Sequence, residues 1–212
     1  MAYSVEAYLV DLDQLQRVYG SRDLQLVHSI EQHRAAKLAR LNSFVEETNA
    51  SLEEDYDPDS DDPLILCPSV NTALRGYIAG TIIGPFDYAL SSYRFALKLI
   101  CATLGVALPN DMFRMLSPFG VGFIYDDVKA IGDVVFRSPP LGPVPFPEDW
   151  KPDWYVGHLS WEQAAVQLSH WQTVIISDDS DSRMWEEEVC NQYRGWLEEA
   201  VRLHMDIVTF YD

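Results

Sequence analysis

DIVTFYD, residues 206–212, decides the fold. Ile207, Val208, Thr209, Phe210 and Tyr211 are β-branched or aromatic, types that suit a pleated, half-buried surface rather than a helix. A strand here needs a partner to satisfy its backbone. The other segment of this character lies at the opposite end of the chain, where Tyr3 to Val10 alternates apolar and polar positions. Between the two ends the pattern is helical. The economical fold is therefore α+β: a mainly helical single domain over residues 1–212, with the N- and C-terminal strands paired in a small sheet.

The helical segments carry their own punctuation. Asp11 can cap a short helix bearing Leu12, Leu15, Val18 and Tyr19, closed by Gly20 in a left-handed C′ position. Ser21 then offers the N-cap of a long amphipathic helix over about residues 22–46, with Leu24, Val27, Ile30, Leu38, Leu41 and Val45 at three- and four-residue spacing. Ser69 can cap a helix through Ala79. After Gly84-Pro85, Phe86, Leu90, Tyr93, Leu97, Ile100, Cys101 and Leu104 form the stripe of a central core helix that Gly105 ends. Asn110 or Asp111 opens a short helix to Leu116, and another short helix is placed around residues 126–131. Ser160-Trp161-Glu162-Gln163 has the form of a capping box, so a helix begins at Trp161. Asp181 or Ser182 starts the last long helix, with Trp185, Val189, Tyr193, Trp196, Ala200 and Leu203 facing inward.

Two stretches resist that pattern. Residues 47–63 hold most of the nine acids found between Glu46 and Asp62, half of the chain's net charge of −18, without one Lys or Arg; such a segment cannot bury enough apolar surface to order itself and reads as a flexible acidic loop. Residues 138–153 contain six prolines, counting from Pro139 to Pro152, which rules out helix interior and central strand alike and leaves a loop.

Composition narrows the function classes. With 48% apolar and 12% aromatic residues among 212, a sizeable core is available. The beginning MAYSVEAYLV lacks a basic region, and no apolar run reaches the roughly 18 to 20 residues a membrane span needs, so a soluble protein is expected. Cys67, Cys101 and Cys190 are odd in number and have no CxxC spacing, which points to a reducing, cytoplasmic location. The acidity opposes nucleic-acid phosphate and anionic lipid, and attracts a basic protein.

The motif search returns little chemistry. EEDYDPDSDDP, residues 53–63, sets aspartates at 55, 57, 59 and 61 like a calcium loop, but Ser60 stands where the loop needs Gly, Leu66 where it needs a bidentate Glu, and Pro58 stiffens it. Among the histidines His28, His33, His158, His170 and His204, the first two sit five apart and share no helix face; no HExxH spacing occurs, and no metal or cofactor is expected. Cys101 lies inside an apolar stripe and reads as a packed core thiol. Gly120-Val121-Gly122 lacks the third glycine of a phosphate cradle. The candidate binding cluster is Phe146, Trp150, Trp154, Tyr155, His158 and Trp161: aromatic groups with polar tips, suited to an interface, to a ligand groove, or simply to gluing the Pro-rich loop onto its domain.

YRFALKLICATLGVALPNDMF (93–113), PVPFPEDW (143–150), YVGHLSWEQ (155–163) and the closing TFY resemble a family of uncharacterised bacterial proteins. Its members share a YALxLLCxxLG-like helix, a proline-rich segment before a GxL turn, and a terminal TFY strand. More loosely, the order of strand-helix at the start and helix-strand at the end is similar to the small YfbM-like bacterial proteins. The resemblance implies a bacterial, cytosolic, globular protein and carries no catalytic residue across. The expected function is a non-enzymatic binding protein, in particular an immunity-type inhibitor of a basic partner protein. The alternatives are a small hydrolase-like enzyme with a site around His158, Asp153 and nearby carboxylates, and a ligand-sensing module built on the aromatic cluster.

Overall fold

A computed structural model describes residues 4–59, 64–81, 86–113, 156–171 and 183–211. The element order is β1 (Val5–Val10), α1 (Leu12–Val18), α2 (Leu24–His33), α3 (Ala35–Glu54), α4 (Val70–Ala79), α5 (Phe86–Leu104), β2 (Val106–Ala107), a 3-10 turn (Asp111–Phe113), β3 (Val156–Leu159), α6 (Trp161–Trp171), α7 (Arg183–Leu203) and β4 (Asp206–Tyr211). The chain is mostly helical with one small sheet, and the two terminal strands are its centre: α+β, as DIVTFYD and its N-terminal counterpart require. The backbone divides into two compact units, Met1–Leu12 with Leu104–Asp212, and Asp13–Thr103.

In the first unit the sheet is antiparallel throughout, in the order β2-β1-β4-β3. β1 and β4 pair over their whole length, Val5 opposite Tyr211 and Val10 opposite Asp206. The strands β2 and β3 are additions to the two-strand expectation; at two and four residues they are too short to show a period. One face of the sheet presents Val5, Ala7, Leu9, Leu159 and Ile207 to a core completed by Leu108, Phe113, Ala164 and the α7 residues Val189, Cys190, Tyr193, Trp196, Leu197 and Ala200. Trp196 anchors that core: Phe113 lies 4.7 Å from it, and its indole N–H donates to the Pro109 carbonyl. The opposite face, with Tyr8, Val10, Val156, Val208 and Phe210, is buried as well. Leu203, expected to face inward, is 38% exposed at the end of α7. The helix stops there and the last turn is no longer over the core.

In the second unit α2, α3 and α4 pack on one another. The single helix expected over residues 22–46 is two helices. Asp23, rather than Ser21, is the N-cap: its Oδ1 accepts from Gln25 N at 2.9 Å and from Leu26 N at 3.0 Å, while Ser21 Oγ accepts from Asp23 N. A break at Arg34 separates α2 from α3, and the Arg34 guanidinium donates to the Ala102 carbonyl at the C-terminal end of α5, where the helix dipole favours a cation. α3 then runs on to Glu54, into the segment whose composition reads as a loop. It is held by two asparagines seven residues apart on one face. Asn49 accepts from Cys67 N and donates to Cys67 O, and Asn42 accepts from Val70 N and donates to Asn71 Oδ1.

Two left-handed glycines meet where α1 and α4 end. Gly20 has φ 70° and Gly80 φ 73°. A Cβ built on Gly80 comes within 2.9 Å of Gly20 Cα, whereas one built on Gly20 meets Gly80 Cα at 3.7 Å, an ordinary contact. Left-handed backbone costs a side chain on the order of 1 kcal/mol at either position, and only Gly80 adds a clash. Gly20→Ala should therefore cost about 1 kcal/mol and Gly80→Ala about 2 to 3 kcal/mol in denaturant unfolding. Equal costs at the two positions would show that the contact is not what fixes Gly80.

Candidate functional site

Both strands beside β4 run antiparallel to it, so both leave the sheet at the end where β4 begins. β1 leaves opposite Asp206 and β3 opposite Ile207. Each then starts a helix two residues later, α1 at Leu12 and α6 at Trp161. The first residue of β4 therefore stands between two helix N-termini, and that residue is Asp206. Its Oδ2 accepts from Leu12 N at 3.0 Å and its Oδ1 from Trp161 N at 2.9 Å. One carboxylate satisfies the first N–H of two helices that begin 149 residues apart in the numbering from Leu12 to Trp161. Burial pushes the Asp206 carboxyl above its usual range; the two amide hydrogen bonds pull it down, and the nearby Glu162 and Asp11 carboxylates push it up.

The start of α6 is further fixed by its capping box. Ser160 Oγ accepts from Gln163 N at 3.3 Å, and Gln163 Oε1 accepts from Ser160 N at 3.0 Å. The Trp161 ring packs against the His204 ring, centroids 4.8 Å apart and nearly edge-on. His204 holds the left-handed position after α7, φ 53°, with Met205 N donating to Ala200 O and His204 N to Val201 O. That backbone pattern usually carries glycine. A ring contact worth about 0.5 to 1.5 kcal/mol is the right size to offset the penalty of a side chain there.

Of the six aromatic and polar residues in the candidate cluster, His158 and Trp161 are described, while Phe146, Trp150, Trp154 and Tyr155, together with Asp153, lie outside the described residues. His158 sits in β3 opposite Val208, half-buried on the sheet face that carries Tyr8 and Phe210. Among the described residues its buried Nδ1 has no hydrogen-bond partner, and burial lowers its pKa, so the neutral ring is favoured. Trp161 is turned instead to His204. Asp206 and His204 complete this corner, and neither is identifiable from the sequence. Asp206 works on residues 45 and 194 positions away, a separation over which no local pattern extends. Among the described residues no three His, Cys, Asp or Glu side chains converge as a metal site. Cys67, Cys101 and Cys190 are buried free thiols, and burial pushes Cys101 far above its ordinary range.

A second surface of interest is the C-terminal half of α3 and the turn after it. Glu46, Glu47, Glu53, Glu54, Asp55, Asp57 and Asp59 are all exposed, and from Leu41 to Asp59 the chain has no Lys or Arg. The charge order along α3 opposes its own dipole. Arg34, Lys37 and Arg40 stand toward the N-terminal half, no acid lies in the first turn, and Glu53 and Glu54 occupy the last turn without a basic residue. Acids at a helix C-terminus cost on the order of 0.3 to 1 kcal/mol each at low salt.

Two measurements check the corner. Loss of a side-chain cap costs about 1 kcal/mol per helix, so Asp206→Ala should destabilise by about 2 kcal/mol, and Asp206→Asn, which keeps one acceptor oxygen, by about half of that. Equal effects of the two would show that the double acceptance does not matter. For His158 the sign follows from its lowered pKa. The unfolded chain takes up a proton near pH 6.5 and the folded chain only below that, so stability is unaffected above about pH 6.5 and falls as pH drops toward the folded value. His158→Leu should remove this component of the acid-side loss and cost under about 1 kcal/mol at pH 7, because an orphaned polar atom goes with it; a cost of 2 to 3 kcal/mol would mean that the ring has a partner.

No curated protein and no solved structure matches the chain. The family described as a domain of unknown function, DUF7691, matches over residues 1–212. The chain whose terminal strands meet at Asp206 and whose middle carries the ALKLICATLG helix thus belongs to the DUF7691 family, a domain of unknown function.

Proposed function

We propose that this protein is a non-enzymatic binding protein whose partner is a basic protein, acting in a bacterial cytoplasm as an immunity-type inhibitor would. The observation that carries the proposal is the acidic half of α3. Seven exposed carboxylates crowd the C-terminal half of α3 and the turn after it, two of them in the last helical turn where they oppose the dipole, with no cation between Leu41 and Asp59 to relieve them. An arrangement that costs stability in the free protein becomes favourable when a basic surface covers it. The same charge steers a basic partner at long range and repels nucleic acid and anionic membrane. Among the described residues no helix is long and apolar enough to cross a membrane.

A second reading rests on His158. A buried Nδ1 without a partner among the described residues, on a ring held neutral, is what a ligand-binding or general-base histidine would present, and it supports a small enzyme or ligand sensor using the 146–161 segment. A single orphaned atom is narrower support than seven uncompensated charges, so the binding protein comes first.

The two properties of α3 give a test with opposed readouts. Replacing Glu46, Glu47, Glu53 and Glu54 together by Gln should leave the melting temperature unchanged or raise it, since the acids at the helix end oppose the dipole. The same variant should lose a basic partner that the wild type captures from its source lysate at low salt and releases at high salt. If the wild type enriches no basic protein over an unrelated acidic control, or the variant captures it equally well, the proposal fails.

A further inference from the structure

Near the middle of α3 the outer face carries both signs of charge around one aromatic ring. Arg40, Ser43, Phe44 and Glu47 are exposed and follow one another three and four residues apart on that face. Phe44 is 52% exposed, yet its ring is held: it meets the buried Phe95 ring edge-on, centroids 5.7 Å apart. The neighbours of Arg40 at three and four residues are Ala36, Lys37, Ser43 and Phe44, and those of Glu47 are Ser43, Phe44, Ala50 and Ser51, so neither charge meets an opposite one on its own helix. The two stand seven residues apart, about 10 Å along the axis. Among the described residues neither makes an ion pair.

We propose that this face docks on the same face of a second copy of the chain, α3 against α3 and antiparallel, about a two-fold axis between Ser43 and Phe44. The order along the helix is cation, small residue, aromatic, anion, and its complement is the same order reversed. A two-fold axis supplies that reversal: Arg40 faces Glu47 of the second copy, Phe44 faces Ser43 of the second copy, and each contact occurs twice. A parallel copy would set like charge against like, and a wholly basic surface would meet Arg40. The axis falls one residue from the middle of Ala35–Glu54, so the helices overlap over nearly their whole length. Ser43 leaves room for the opposing ring, and Ala36 opposite Ser51 lets the backbones approach. Phe44 supplies the affinity, because a ring already held by Phe95 gives up little freedom when it loses water. The two ion pairs fix direction and register, since exposed pairs add little affinity. One helix pair lies at the small end of specific interfaces, which places the dissociation constant on the order of 10 to 100 μM.

The test is sedimentation equilibrium of the full chain from about 5 to about 300 μM in 0.15 M salt, where a Debye length of about 8 Å screens the repulsion between two chains of net charge −18. A monomer–dimer equilibrium is expected. Arg40→Glu, Glu47→Arg and Phe44→Ala should each weaken it about tenfold or more, because the two-fold axis doubles every loss. Arg40→Glu combined with Glu47→Arg re-forms both pairs with the signs exchanged and should return the dimer to within about threefold of wild type. Where Phe44→Ala unfolds through its lost contact with Phe95, as a thermal melt would show, the charge exchange between two exposed residues carries the test. The proposal is overturned if the chain is monomeric at about 300 μM, if a dimer forms that a folded Phe44→Ala leaves intact, or if the double exchange is no tighter than either single variant. Arg40→Glu keeps every acid of α3, so it should lose the dimer and still capture a basic partner; self-association and partner capture therefore succeed or fail separately.

Discussion

The first unit depends on one carboxylate placed where three chain segments begin. An antiparallel three-strand arrangement brings the outgoing ends of β1 and β3 to the incoming end of β4, and both outgoing strands turn at once into helices. Each helix start presents N–H groups that have no partner within the helix. Without Asp206, the N–H groups of Leu12 and Trp161 would need other acceptors in a half-buried corner. The raised carboxyl pKa shows which forces prevail there: desolvation, with the repulsion of Glu162 and Asp11, outweighs the two hydrogen bonds, so the charge itself is a net cost and the geometry is what it provides. Because the folded pKa is raised, this cost is absent below the ordinary carboxylate range and grows as pH rises through the folded value. A neutral side chain with two acceptor sites in the same place would serve the caps as well, but Asp is the short residue that has them.

The second unit answers the same backbone problem with amides. The segment from Cys67 to Asn71 connects the acidic turn to α4, and its peptide groups would be open between helices. Asn49 matches the N–H and carbonyl of Cys67 with its own carbonyl and N–H, Asn42 holds Val70 N, and Ser92 donates to Pro68 O at 2.6 Å. Ser69 meanwhile caps α4 through Thr72 N. Each net hydrogen bond contributes on the order of 1 kcal/mol, but the larger effect is specificity, since a slipped register would leave buried amides unsatisfied. This explains why α3 continues past residue 46: the helix must extend far enough for Asn49 to reach Cys67, and its acidic end is carried along with it.

What the sequence disclosed and what it concealed follow the range of each interaction. Interactions within a few residues were legible: the Ser160 and Gln163 capping box, Ser69 before α4, the glycine stop at 20, the α5 stripe, and the β-branched ends that pair as β1 and β4. The break at Arg34 was not, because nothing in the periodicity of QHRAAKL (32–38) forbids a continuous helix and the guanidinium's acceptor is 68 residues away. Asp23 displaced Ser21 as cap because both are good N-caps and only geometry chooses between them. The strands β2 and β3 were too short to have a period. In the candidate corner, His158 and Trp161 stood out as a polar-aromatic cluster, whereas Asp206 looked like an ordinary first residue of a strand and His204 like any surface histidine.

The distribution of charge separates the parts of this molecule that serve folding from those that do not. At Asp206, Asp23 and Arg34 each charge or carbonyl contact lies where a helix end wants it, and each has a defined partner. The acidic end of α3 follows the opposite rule: like charges are adjacent, the dipole is unfavourable, and full exposure means that solvent and salt moderate rather than cancel the repulsion. The stabilising amides Asn42 and Asn49 lie on the same helix, so its packing does not depend on those acids. A helix whose packing face is satisfied by amides and apolar side chains is free to carry an uncompensated charge on its outer face. Electrostatic recognition requires this division of labour, because charges already neutralised within the fold would have little left to offer a partner.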